Sequence, residues 1–98
     1  MNQYAISQHH RDQFGEVSLH QIVSKLAEEV GEVSAAVTRL TEERHGEDWR
    51  QLALEEIGDV MIVLTALCGY LDGHIDEVGA RAQRSFCERT WDIKKGRT

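Results

Sequence analysis

Between Leu19 and Leu71 apolar residues return every three or four positions, interrupted by the polar segment EERHGED at residues 42–48, and the chain contains no proline. Strand-like alternation is nowhere sustained. A period near 3.6 without a helix breaker leaves helix as the regular structure this sequence can hold. The expected fold is all-α: an antiparallel helical hairpin plus a C-terminal helix.

The boundaries follow from capping chemistry. Ser18 followed by Gln21 reads as a capping box, and Leu19, Ile22, Val23, Leu26, Val30, Val33, Val37 and Leu40 then form one stripe to about Thr41. Gly46 should stop this helix, and Asp48 should cap a second one running to about Leu71. Two helices joined by so short a connection pack as antiparallel neighbours. Asp72-Gly73-His74 is the next break, after which a helix weakened by Gly79 runs from Asp76 to about Arg89. The first dozen residues predict a further short helix.

Val60 to Cys68 is apolar all round except for Thr65. A helix without a polar face needs cover on every side. The hairpin partner covers one side, and a chain of 98 residues buries only about two thirds of its unfolded surface. A homo-oligomeric helical bundle, dimer or tetramer, is therefore expected ahead of a helix wrapped by the chain's own termini.

With 41% apolar and 29% charged residues and no biased tract, residues 1–98 read as one globular domain. The polar start MNQYAISQHHRDQF has the form of neither a secretory signal nor an anchor, and the apolar run is too short to cross a bilayer. Cys68 and Cys87 make no disulfide or metal signature, which suits a cytoplasmic location and free thiols. A net charge of −6 argues against membrane surfaces and nucleic acid polymers as partners. The sign is uneven, since six of the eleven basic residues fall in the last eighteen positions. An acidic middle and a basic tail could grip two parts of one ligand.

The acidic residues of the middle are not scattered. At about 100° per residue, Glu29 and Glu32 sit on one flank of the Leu26-Val30-Val33-Val37 stripe, with Glu28 pointing away, and Glu56 and Asp59 flank Ile57-Val60-Leu64. Helices packed about 8–10 Å apart would let these four carboxylates converge. At an effective dielectric near 20 each close pair of charges costs on the order of a few kcal/mol, so the cluster needs neutralising. A hard divalent cation with oxygen ligands does this, magnesium first and manganese as a substitute. Ordinary solvated glutamates are the plain alternative, and two clusters each beside its own apolar stripe favour the metal. The di-iron pattern Glu-x-x-His occurs once, at Glu42 and His45 beside Gly46, and His9, His10, His20, His45 and His74 follow no zinc spacing and read as surface residues. With no Gly-rich phosphate loop, a nucleotide would have to be held through metal.

Glu29-Val-Gly-Glu32 followed after twenty-three residues by Glu56-Ile-Gly-Asp59 resembles the ExxE…ExxD signature of the MazG-like all-alpha nucleoside triphosphate pyrophosphatases. Lys25, the doubled acids Glu28-Glu29 and Glu55-Glu56, and Arg89-Thr-Trp91 are similar to that family too, and the likeness spans roughly residues 18–91. The resemblance implies hydrolysis of a (d)NTP between its α and β phosphates, giving (d)NMP and pyrophosphate, in a house-cleaning or pool-balancing role. It implies Glu29, Glu32, Glu56 and Asp59 as metal ligands and catalytic residues, with Glu28 and Glu55 supporting them from behind. Cations must meet the phosphates as well: Lys25 first, one turn before Glu29, then Arg81, Arg84 and Arg89, with Lys94 and Lys95 further back. Where the family often carries Lys and Asn on the last helix this chain has Ala82 and Phe86, for which Arg81 and Ser85 are the nearest substitutes. Phe14, Trp49 and Trp91 are candidate walls for a base that stays unassigned. The competing reading is a non-catalytic helical dimerisation or regulatory module binding nucleotide or a protein partner; a phosphoribosyl-ATP pyrophosphatase-like or dUTPase-like substrate range is a third.

Overall fold

A computed structural model of the chain describes residues 1–43 and 45–94, with side chains through residue 89. Among these residues every regular element is helical: α1 Gln3–Phe14, α2 Leu19–Thr41, α3 Trp49–Tyr70 and α4 Ile75–Lys94. The N-terminal helix expected from sequence is present, and α4 continues past Arg89 without a break at Gly79. The side chains of Trp91, Lys94 and Lys95 lie outside the described residues.

Both expected N-caps are formed. Ser18 Oγ accepts from the Gln21 N–H at 3.1 Å while Gln21 Oε1 accepts from the Ser18 N–H at 2.8 Å, and Asp48 Oδ1 accepts from the Gln51 N–H at 3.0 Å. Each such cap stabilises its helix by about 1 kcal/mol. One helix end differs from expectation. Gly46 does not stop α2; Glu43 already takes the left-handed conformation at φ 54°, donating its N–H to the Leu40 carbonyl at 3.1 Å. At the end of α3 the expected Asp72-Gly73-His74 break is present, with Asp72 left-handed at φ 58°. The Asp72 N–H then reaches the Gly69 carbonyl at 3.1 Å and the Gly73 N–H the Cys68 carbonyl at 2.9 Å, the paired bonds of a Schellman turn. The short aspartate side chain tolerates this geometry, so the turn needs no glycine at that position.

The hairpin of α2 and α3 is antiparallel. Near its loop the Arg39 guanidinium lies over the Trp49 ring at 5.2 Å, and at the opposite end Ile22 and Lys25 share a cavity with Ile62 and Val63. Against that far end lies α1. Gln3 ties it down, its Nε2 donating to the Gly73 carbonyl at 2.7 Å and its Oε1 accepting from the Ile75 N–H at 2.6 Å. Helix approach is close here, because a Cβ on Gly69 would stand 2.7 Å from Ser7 Oγ.

The core is thin: Ile22, Ala36, Ala53 and Ala66, with fully buried Thr65 bonding back to the Met61 carbonyl at 2.7 Å. Its line also departs from the sequence reading. On α2 the buried residues are Ile22, Glu29 and Ala36 at seven-residue intervals, whereas Val23 and Val30 are each 50% exposed. The apolar stripe is wider than one partner helix can cover, so α3 takes one edge of it and leaves the other open. On α3, Leu54, Ile57, Met61 and Leu64 are likewise exposed, at the 3-4-3 spacing of a helix–helix seam. The apolar segment expected to need cover on every side receives part of it from α1. The Cα radius of gyration, 16.7 Å, exceeds the roughly 13 Å of a compact chain this long, and every described residue of α4 from Asp76 to Arg89 is exposed.

Candidate metal centre

The register of the hairpin sets Glu56 of α3 opposite the Glu29–Glu32 turn of α2. One carboxylate oxygen from each of Glu29, Glu32 and Glu56 falls within 4.8 Å of the others. Glu29 is buried, Glu56 half-buried and Glu32 exposed, so the group opens from the helix seam to solvent. One oxygen of each of Glu29 and Glu56, Oε2 in both, is buried and accepts no hydrogen bond. A buried carboxylate oxygen with no donor is costly and requires a proton, a cation or water to complete it.

Charge is only partly balanced within the chain. Lys25 Nζ lies 3.0 Å from Glu29 Oε1 and 3.7 Å from Glu28 Oε2, and the bond to Glu29, followed by the surrounding negative charge, raises the Lys25 ammonium above its usual range. Glu32 is pushed up to about 7, first because it shares a hydrogen bond with Glu56, then through one with Glu29 and repulsion from the Glu29 charge. Near pH 7 about half of the Glu32 carboxyls therefore carry a proton. Hard oxygen donors at this separation suit a divalent cation.

Asp59 does not join the group. It lies nearly one turn beyond Glu56 and is exposed, so three carboxylates converge where four were expected. It does line a cavity of about 480 Å³ together with Lys25, Glu29 and a largely apolar wall. Glu28 and Glu55 are both exposed, and Glu28 faces Lys25 rather than the cluster. Arg81, Arg84 and Arg89 are exposed along α4, and none of them lines the cavity. Of the aromatic candidates, Trp49 is held at the loop end of the hairpin by Arg39, while Phe14 lines the cavity.

Sequence reasoning missed His10. Read as a surface residue, it is half-buried, meets the Phe14 ring at a tilt of 51° with ring centroids 5.0 Å apart and lines the same cavity. Its Nδ1 is buried without a partner, and desolvation, then the charge of Arg11, lowers its pKa below the ordinary value. The signal was available in the four-residue spacing of His10 and Phe14, which puts both on one face of α1.

A family model of the MazG nucleotide pyrophosphohydrolase domain matches residues 17–89. The matched stretch holds α2, α3, both acidic pairs and most of α4. No curated protein and no solved structure matches the chain. Among the described residues no helix is long and apolar enough to cross a membrane.

Proposed function

Because the chain belongs to the MazG nucleotide pyrophosphohydrolase domain family, we propose that it cleaves nucleoside or deoxynucleoside triphosphates between the α and β phosphates with Mg²⁺, or Mn²⁺ in its place, releasing monophosphate and pyrophosphate. The observation that carries this reading is the convergence of Glu29, Glu32 and Glu56 oxygens within 4.8 Å, two of these residues each keeping a buried oxygen without a donor. Divalent-metal dependence is general in the family. Glu29, Glu32 and Glu56 would hold the ion. When bound, it supplies charge neutralisation, Lewis acidity toward a phosphoryl oxygen and a more acidic water.

The chain's own groups divide the remaining work. Lys25, half-exposed and 3.0 Å from Glu29, sets a fixed positive charge at the rim where a phosphate chain would approach. Asp59 stands at the cavity edge beside Glu29, positioned either to complete the ligand set or to accept the proton of the attacking water. Glu32 carries the proton that leaves when the cation arrives. A house-cleaning or pool-balancing role in the cytoplasm corresponds to this activity.

Assembly belongs to the same reading. Leu54, Ile57, Met61 and Leu64 on α3 and Val23, Val30 and Val37 on α2 form exposed seams at heptad spacing, which a second copy would cover to make a homo-oligomeric bundle. Light scattering on the eluting protein should give a dimer or tetramer, and Met61→Glu should reduce it to monomer. For activity, a panel of (d)NTPs with MgCl₂ is the direct test. Pyrophosphate release from at least one nucleotide is expected; a folded, oligomeric protein that cleaves none would instead be an interaction module.

A further inference from the structure

The cavity beside the carboxylates has two unlike ends. One is charged, with Glu29, Asp59 and Lys25; the other is built from Phe14, His10, Gln21 and apolar residues such as Ile22 and Ile62. A metal–triphosphate belongs at the first end on charge alone, which leaves the second for the uncharged, flat part of the ligand. The two ends also differ in origin. The charged end lies wholly within the family match at residues 17–89, whereas His10 and Phe14 come from α1, at residues 3–14, outside it.

We propose, building on the pyrophosphohydrolase reading, that α1 is the base-selecting wall of the site: Phe14 gives the nucleobase a ring face to stack on, and His10 offers its edge an unpaired ring nitrogen. Phe14 is 62% exposed, so a ring face is open to stacking. His10 lies 5.0 Å from the Phe14 ring and 6.0 Å from the Tyr70 ring with its Nδ1 under 1 Å² exposed, so a base reaches that nitrogen by a turn of the imidazole. Its buried Nδ1 makes no bond within the chain, the kind of group that rewards a ligand with a matching donor or acceptor and rejects one without it. The neutral imidazole favoured by burial can both donate and accept. Chemistry thus resides on the hairpin, and base choice on a separate helix held to it by Gln3 and the Gly69–Ser7 contact.

The test compares ligands with and without a base. In Mg²⁺, calorimetry on the full chain would measure binding of α,β-imido analogues of the common nucleoside and deoxynucleoside triphosphates and of inorganic tripolyphosphate. Wild-type protein should bind its preferred analogue at least about fivefold more tightly than tripolyphosphate, the lower end of what base–aromatic stacking provides. His10→Ala and Phe14→Ala should each erase most of that advantage and leave tripolyphosphate affinity unchanged, while Phe14→Tyr keeps it. The proposal is overturned if the advantage survives both alanine substitutions, if tripolyphosphate affinity falls in step with nucleotide affinity, or if no analogue exceeds tripolyphosphate. Selective binding without cleavage of the corresponding triphosphate would support the base wall and remove the pyrophosphohydrolase reading instead.

Discussion

Cation binding at the three-carboxylate group should release a proton, and the size of that linkage follows from Glu32. Its carboxyl titrates at about 7 against an ordinary 4.5, because Glu56 and then Glu29 crowd it. At pH 6 roughly nine-tenths of molecules therefore carry the proton, and at pH 8 roughly one-tenth. An ion that needs the ionised carboxylate binds in proportion to that fraction, so apparent Mn²⁺ affinity should be about tenfold weaker at pH 6 than at pH 8. Calorimetry in pairs of buffers with different ionisation enthalpies reads both quantities: the affinity ratio, and a release of close to one proton at pH 6 falling to about a tenth at pH 8. Glu32→Gln should bind more weakly and lose the pH dependence across this range. Equal wild-type affinities at the two pH values, with no proton released, would mean that Glu32 is already ionised and that the three oxygens do not crowd one another.

Three further outcomes are expected. Glu56→Gln should lower pyrophosphate release by about a hundredfold or more, beyond the roughly 10–100-fold lost with a metal ligand's supporting partner, with a melting temperature unchanged or raised because repulsion is relieved; a large drop in melting temperature would make Glu56 a structural residue. In metal-free protein the raised Glu32 contributes stability that is complete below pH 4.5 and is lost as pH rises to about 7, so wild type should lose stability relative to Glu32→Gln across that window; a flat difference between their melting curves would refute the crowding. Gln3→Ala removes both bonds that fasten α1 to the start of α4 and should cost about 1–3 kcal/mol with faster exchange of the Ile75 amide, read from urea midpoints at constant slope and from hydrogen exchange; unchanged exchange at Ile75 would show that α1 is held by other contacts.

Helix identity was legible in the sequence because periodicity and caps are local: Ser18, Gln21 and Asp48 act within one turn of where they stand. Which face each helix buries was less legible. The stripe on α2 is broad enough for two partners, and only the register against α3 decides that Glu29 rather than Val30 enters the seam. That register also separates Glu56 from Asp59, whose spacing alone had put them together. Turn chemistry misled at Gly46, where Glu43 took the left-handed position first, whereas the Asp72-Gly73-His74 break fell where expected. The role of α1 was hidden for a different reason: a helix with no fully buried residue carries a weak amphipathic signal, and its contribution to the cavity comes from where it docks rather than from its own pattern.

The seam position of Glu29 ties two selective demands to one site. A leucine there would join Ile22 and Ala36 in an unbroken apolar ladder and serve folding better than the acid does, so foldability alone does not call for the carboxylate. On the proposed function, a change from acid to leucine here would trade the metal site for robustness in a single step, leaving a sturdier and silent hairpin.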